Sequence, residues 1–168
     1  MIKLTLVLGG ARSGKSRYAE GLAKAASGPR TYIATAQAFD DEMQLRIGKH
    51  QADRAGDGWE TIEAPLDLVA ALRQARGFVL LDCVTVWLGN LMHHGRDIGA
   101  AVAELCSALK AADGEIVVVS NEVGLSIVPE NALARAFRDE QGLANQRLAD
   151  VADEVIFIAA GLPLKLKG

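Results

Sequence analysis

Cysteine is scarce in this chain. Among 168 residues only Cys83 and Cys106 occur, and they form no C-x-x-C pair. Two cysteines cannot make a disulfide framework. Cys83 lies in an apolar run and Cys106 in a helical pattern, so both read as buried thiols of a reducing compartment. No apolar run approaches the ~20 residues of a membrane-spanning helix. The apolar run Leu4–Leu8 leads into glycines without a cleavage-type site, which argues against a secretory signal and for a cytoplasmic protein. Positive charge is not in excess: 18 Lys+Arg stand against 21 Asp+Glu, a net charge of -3. That balance gives no global nucleic-acid footprint and leaves a small-molecule partner or a local basic site. There is no internal repeat, linker or low-complexity stretch. The Asn-Lys-x-Asp base-reading signature of regulatory GTPases is missing too, since Ser120-Asn121-Glu122-Val123 does not supply it.

What is present describes a globular protein. Half of the residues are hydrophobic and 23% are charged, which excludes a disordered chain. The length fits a single domain, residues 1–168, with enough chain to bury a core without staples. Short apolar runs alternate with amphipathic segments. Strands are expected at Ile2–Leu8, Thr31–Thr35, Trp59–Glu63, Phe78–Asp82, Glu115–Ser120, Val155–Ala159 and Leu162–Lys167. Helices are expected at Lys15–Ala26, Asp40–Arg54, Leu66–Arg76, Val84–Met92, Ile98–Ala112 and Asn131–Val151, the last with a candidate kink at Gly142. Asp40 or Asp41 caps the second helix. Continuous apolar strands between helices predict a mostly parallel sheet covered on both faces. The last two strands are close enough for a hairpin, with Leu162–Lys167 as an edge strand wet on one face.

Residues 9–16 read Gly9, Gly10, Ala11, Arg12, Ser13, Gly14, Lys15, Ser16, the pattern G-x-x-x-x-G-K-[ST]. Glycines allow a tight wrap whose backbone N–H groups converge on phosphate oxygens. The helix that follows aims its positive end at the same anion. Lys15 should reach the β- and γ-phosphates, and the Ser16 hydroxyl should ligate Mg²⁺. An ordinary glycine-rich turn is the plain alternative, but here a strand precedes the motif and a helix follows it. Asp82 ends the apolar strand Phe78–Asp82, at the carboxyl edge where open α/β sheets bind ligands. It suits a second Mg²⁺ contact, or more simply a cap for the next helix. Glu122 follows another strand and offers the same service, instead or as well. These motifs describe a small phosphotransferase acting on a metabolite.

On a helix over Asp40–Arg54, Arg46, His50 and Arg54 fall at i, i+4 and i+8, with Met43 and Ile47 beside them. Two guanidiniums one turn away disfavour a cationic imidazole and suit a triphosphate. A histidine so placed can attack phosphorus and carry a nucleotidyl group as a phosphoramidate. A packed or solvated histidine is the bland reading of the same pattern. His93 and His94 fall in a turn, and no third residue stands at metal-ligand spacing.

Taken together, these stretches resemble one family. They are the phosphate loop, Tyr32–Thr35, Asp40–Met43 with Arg46, Ile47 and His50, Leu80–Cys83 with Asn90 and Leu91, and Asn121–Gly124. Ile127–Asn131, Ala134-Arg135 with Phe137–Asp139, Asn145–Leu148 and Ala152–Val155 complete the set. The phosphate loop is widely shared, whereas the block from Asn121 to Leu148 is specific. The chain resembles the bifunctional adenosylcobinamide kinases / adenosylcobinamide-phosphate guanylyltransferases of cobalamin biosynthesis. The resemblance implies a three-layer α/β phosphate-loop (RecA-like) fold, mostly parallel with a C-terminal antiparallel edge hairpin, and a homo-oligomer, a trimer. It implies phosphorylation of adenosylcobinamide by ATP or GTP. GMP then passes from GTP through a guanylylated histidine to adenosylcobinamide phosphate, with Mg²⁺ as cofactor. His50 is the implied nucleophile; where some members carry His-His, this chain has Lys49-His50. Gly10–Ser16 match the nucleotide loop. Ala34, Thr35 and Ala36 match a nucleotide-contacting turn, with Ala36 in place of a more usual Ser. Gln51, Ala52, Asp53 and Arg54 match further GTP contacts. Glu63 matches an acidic position beyond a loop one residue longer here, and Asp82 a carboxylate filled by Asp or Glu. Kinase chemistry attacks the γ-phosphate and guanylyl transfer the α-phosphate, so the helix carrying His50 is expected to move and close on GTP. A kinase with an inert His50, and a nucleotide-gated binding module without turnover, are the alternatives.

Overall fold

The computed structural model describes residues 3–168. The strands are β1 (Lys3–Gly9), β2 (Arg30–Ala34), β3 (Trp59–Glu63), β4 (Phe78–Asp82), β5 (Glu115–Asn121), β6 (Glu154–Ala159) and β7 (Leu162–Lys167). The helices are α1 (Lys15–Ala25), α2 (Asp41–Gly56), α3 (Leu68–Gln74), α4 (Val84–His93), α5 (Ile98–Ala111) and α6 (Ala132–Val151). Every expected element is present, although Ile2 lies outside the described residues. The strands form one sheet in the order β3-β2-β4-β5-β1-β6-β7. All pairings are parallel except β6 with β7, the C-terminal antiparallel hairpin.

Alternation along the strands divides the core into two layers, because successive side chains point to opposite faces. Leu6, Leu81, Val118 and Val155 join the larger layer, with Leu88, Leu105 and Leu148 from α4, α5 and α6. Val7, Leu80, Val119 and Ile158 join the smaller one, with Ala19 and Ala23 of α1. Each fully buried aliphatic side chain contributes about 1.5–3 kcal/mol over leaving it in water. The three layers expected of a phosphate-loop fold are therefore present, with α1 and α2 alone on one side.

Helix ends follow local chemistry. Asp40, rather than Asp41, caps α2, its Oδ1 accepting from the Met43 N–H at 2.7 Å. α3 is shorter than its apolar stripe suggests. Asp67 caps it by accepting from the Ala70 N–H at 2.9 Å, while the Leu66 carbonyl turns away to accept from Trp87 Nε1 at 2.8 Å. α6 runs through Gly142 as a single helix. β7 departs from expectation in its burial. All six residues are exposed, including Leu162, Leu164 and Leu166 at 70%, 58% and 58%. Its pairing satisfies the hairpin, but no helix lies over the leucine face.

Cys83 is buried as expected, whereas Cys106 is only half-buried on the flank of α5. Among the described residues no helix is long and apolar enough to cross a membrane.

Candidate active site

The phosphate loop leaves the carboxyl end of β1 between β5 and β6. Its neighbours on both sides brace it: the Glu122 N–H donates to the Gly9 carbonyl at 3.0 Å, and the Gly161 N–H to the Ser13 carbonyl at 2.7 Å. Arg12 and Gly14 sit at φ 54° and 98°. Glycine meets the second demand without strain, and Arg12 bears the first, as residues at functional turns often do. Gly14 is also the N-cap of α1, with no capping side chain and no acid in the first turn. The first N–H groups of α1 are thus left for an anion. Lys15 is buried, and its Nζ donates to the Gly10 carbonyl at 2.7 Å. Burial lowers its pKa, against the smaller upward pull of Cys83 and Asp82. Ser13 Oγ is buried with no hydrogen-bond partner among the described residues.

A cavity of about 600 Å³ opens beside this loop, between α1 and α2. Ser16, Ala34, Thr35, Ala36, His50, Asp53, Arg54 and Asp82 all line it. Sequence reasoning named these from four separate segments, and the fold brings them to one space. Glu20, Lys24, Arg30, Tyr32, Asp57 and Trp59 line it as well. Those were not named as site residues, although the two-residue period of β2 puts Tyr32 on the face of Ala34. Thr35 is fully buried and its hydroxyl is engaged internally. It accepts from the Cys83 N–H at 2.9 Å and donates to the Cys83 carbonyl at 2.9 Å, while Asn90 Nδ2 donates to the Thr35 carbonyl at 2.8 Å. Thr35 ties the ends of β2 and β4 together.

Asp82 accepts from the Tyr32 hydroxyl at Oδ2, 2.6 Å away. Burial, with the Asp82 charge and hydrogen bond adding to it, pushes the Tyr32 phenol far above its ordinary pKa. Burial and then Asp82 raise the Cys83 thiol to about 11. Ser16 and Asp82 offer hard oxygen donors, a hydroxyl and a carboxylate. Mg²⁺ habitually takes one or two such protein ligands and fills its remaining positions with phosphate oxygens and water. This pair therefore fits Mg²⁺. Among the described residues no group of three or more His, Cys, Asp or Glu could hold a metal by itself. Glu122 is not in this cavity; its Oε1 accepts from the Gly124 N–H at 2.5 Å and shapes the loop after β5.

α2 has no buried residue. Its inner stripe is Ile47, Gln51 and Arg54, all half-buried, while Arg46 and His50 are exposed. The expected stripe of Arg46, His50 and Arg54 is thus rotated: His50 and Arg54 reach the cavity and Arg46 does not. The residues after His50 divide as well. Asp53 and Arg54 face the first cavity, while Gln51 faces a second one of about 420 Å³, where its Nε2 donates to Glu63 Oε1. Ala52 is exposed and lines neither cavity. Ala36 and Ile47 border both. His93 ends α4 and stacks edge-on against His94 and Phe39, at 5.3 and 5.6 Å, away from either cavity.

Behind the loop lies a buried polar knot: Ser120, Gln141 and Asn145 are all buried and bonded to one another. Asn145 Nδ2 also donates to the Asn121 carbonyl at 3.1 Å, fixing the end of β5 next to Gly9. This gives the block from Asn121 to Leu148 a structural reason.

Comparison with known proteins agrees with this geometry. Residues 5–166 match the family described as cobinamide kinase / cobinamide phosphate guanyltransferase. The bifunctional adenosylcobalamin biosynthesis protein CobP of Pseudomonas aeruginosa is 45% identical over 97% of this chain and 96% of its own length. The proteins named CobU from Escherichia coli and Salmonella typhimurium, described in the same words, are each 42% identical over 98% of this chain and 99% of theirs. Nearly full-length matches at such identity leave no element of the fold unaccounted for, and the chain belongs to the cobinamide kinase / cobinamide phosphate guanyltransferase family.

Proposed function

We propose that this chain phosphorylates adenosylcobinamide with ATP or GTP and then joins GMP to the product, giving adenosylcobinamide-GDP. One observation carries the reading: His50 on α2 lines the same cavity as Ser16 of the phosphate loop and Asp82 of β4. Arg12, Ser13, Gly14 and Lys15 line an adjoining cavity that shares Ser16 with the first, so a nucleotide held by its phosphates at the loop would extend past Ser16 toward the histidine.

In the first reaction the acceptor hydroxyl oxygen bonds to the γ-phosphorus and the bond to the β–γ bridging oxygen breaks. The nucleoside diphosphate leaves, and the hydroxyl proton is released. The amides of the loop and Lys15 stabilise the charge that develops on the phosphate oxygens. Ser16 and Asp82 would hold Mg²⁺, which when bound neutralises phosphate charge. In the second reaction a ring nitrogen of His50 bonds to the α-phosphorus of GTP and pyrophosphate leaves. A phosphate oxygen of adenosylcobinamide phosphate then displaces His50. Asp53 and Arg54 face the first cavity with His50, so they contact the guanylyl group; Gln51 and Glu63 contact the nucleotide from the second cavity. α2, without a buried residue, closes on GTP, and slower amide exchange of 41–56 on adding GTP checks that closure. The chain is proposed as a homo-oligomer, a trimer; the exposed leucines of β7 offer an apolar face for contact between copies, and sedimentation equilibrium tests the stoichiometry.

GTP labelled at the α-phosphate tests the reading. The expected outcome is acid-labile label on the wild-type chain, none on His50→Ala, and adenosylcobinamide-GDP by mass after adenosylcobinamide is added. Phosphorylated adenosylcobinamide without label on the chain would leave the kinase alone. No phosphoryl transfer under any condition would leave a nucleotide-binding module.

A further inference from the structure

Tyr32 takes no part in the chemistry above, yet it touches both halves of the site. Its hydroxyl donates to Asp82 Oδ2 at 2.6 Å. The guanidinium carbon of Arg54 lies 4.0 Å from the centroid of its ring. The ring is 7% exposed and sits edge-on to Trp59, at 5.8 Å between centroids, with Trp59 in turn edge-on to Phe78 at 6.1 Å. β2 and β4 are paired in register here, Tyr32 opposite Leu80 and Ala34 opposite Asp82. The phenol is therefore held by the sheet and by an aromatic row, and it cannot follow either partner.

The two contacts have different consequences. A carboxylate at a strand end rotates freely unless one oxygen is tied. The bond to Oδ2 ties it and leaves Oδ1 for a metal ion or an acceptor hydroxyl. Arg54 belongs to α2, which has no buried residue to fix its place. Among the described residues Arg54 forms no salt bridge, and its Nε reaches Thr61 Oγ1 only at 3.4 Å. The face of Tyr32 is thus a main seat for the end of the helix that carries His50, through a cation–π contact that strengthens with desolvation.

We propose that Tyr32 is a positioning residue for both reactions, its hydroxyl orienting Asp82 toward the metal and its ring registering α2, and so His50, against the phosphate loop. The proposal rests on the function argued above and adds to it a fixed point shared by a kinase group and a transferase group. Other substitutions of the site remove a group that meets substrate; changes at Tyr32 act through Asp82 and Arg54.

The two roles separate by substitution. Tyr32→Phe removes the hydroxyl and keeps the ring. Tyr32→Leu removes both. GTP affinity of the full chain is measured by calorimetry with Mg²⁺ and with EDTA, and amide exchange of 41–56 is followed in parallel. Loss of an outer-shell partner costs about 10–100-fold in metal affinity. Tyr32→Phe should therefore lose about tenfold or more of the affinity gained from Mg²⁺, keep its affinity in EDTA, and exchange through α2 as the wild type does. Tyr32→Leu should lose the same gain and also exchange faster through α2. If Tyr32→Leu does not fold, Arg54→Leu vacates the same ring face and carries the exchange measurement. A Mg²⁺ gain in Tyr32→Phe equal to that of the wild type overturns the hydroxyl's role. Unchanged α2 exchange in the ring-face variants overturns the ring's role. Equal losses in EDTA and Mg²⁺ would mean packing alone and overturn the proposal. A wild-type chain that binds GTP with Mg²⁺ but is never labelled on His50 overturns the transferase reading, not this one.

Discussion

The ammonium of Lys15 is turned back onto its own loop, bonded to the Gly10 carbonyl at 2.7 Å. Without a nucleotide that bond gives a buried cation a partner, and a phosphate must replace it. The cation is still costly, since burial lowers its pKa. A lysine whose pKa is lowered on folding destabilises the folded state below that pKa, and the cost fades as pH rises through its unfolded value. Lys15→Ala should therefore leave the free protein as stable as the wild type or more so at neutral pH, by urea unfolding. Both chemistries should fall by about 10²–10³-fold or more as phosphate stabilisation is lost.

Gly9 has no room for a methyl group. A Cβ there would stand 2.5 Å from Ser13 Oγ and 2.7 Å from the Ile158 carbonyl. The carbonyl is main chain of β6 and does not yield, so the loop must shift. Gly9→Ala should cost about 1–3 kcal/mol by overpacking and weaken nucleotide binding measured by calorimetry. By contrast, Gly10→Ala meets nothing within 4 Å and should keep its stability.

Asn145 serves three partners at once. Asn145→Leu would leave the Ser120 hydroxyl, the Gln141 amide and the Asn121 carbonyl without it. A buried polar group stranded in this way costs about 1–3 kcal/mol. The expected result is a lower urea midpoint with an unchanged m value. Nucleotide affinity should fall as well, because the end of β5 flanks the phosphate loop.

Cys83 gives the protein a pH response in the alkaline range. Its thiol is raised from 9.0 to about 11, chiefly by burial. A group that holds its proton more tightly when folded contributes stability in full below its unfolded pKa and loses it as pH rises through its folded pKa. Stability should therefore decline between pH 9.0 and about 11, and less steeply in Cys83→Ala. The same shift should slow alkylation of Cys83 in the folded chain by about 100-fold relative to the unfolded chain at pH 8.

The β-α alternation made the sheet legible, and β3 and β4 begin and end at the residues expected of them. The phosphate loop was legible because its spacing is a geometric demand on backbone amides. Period-2 reasoning on β7 failed on burial, since pairing with β6 does not supply a helix to cover its leucines. The rotation of α2 was also beyond the sequence. Arg46, His50 and Arg54 do share a stripe, but which stripe meets the sheet depends on how α2 packs on β3. For the same reason nothing in the pattern divided Gln51 from Arg54, or tied Tyr32 to Asp82 across two strands.

A helix that buries none of its own residues can vary with little consequence for the fold. In a library of variants scored separately for cellular abundance and for turnover, positions 41–56 should behave unlike the strands. Damage there would silence the enzyme while its level in the cell holds steady, and the natural variation those positions tolerate would then reflect the demands of ligands rather than of folding.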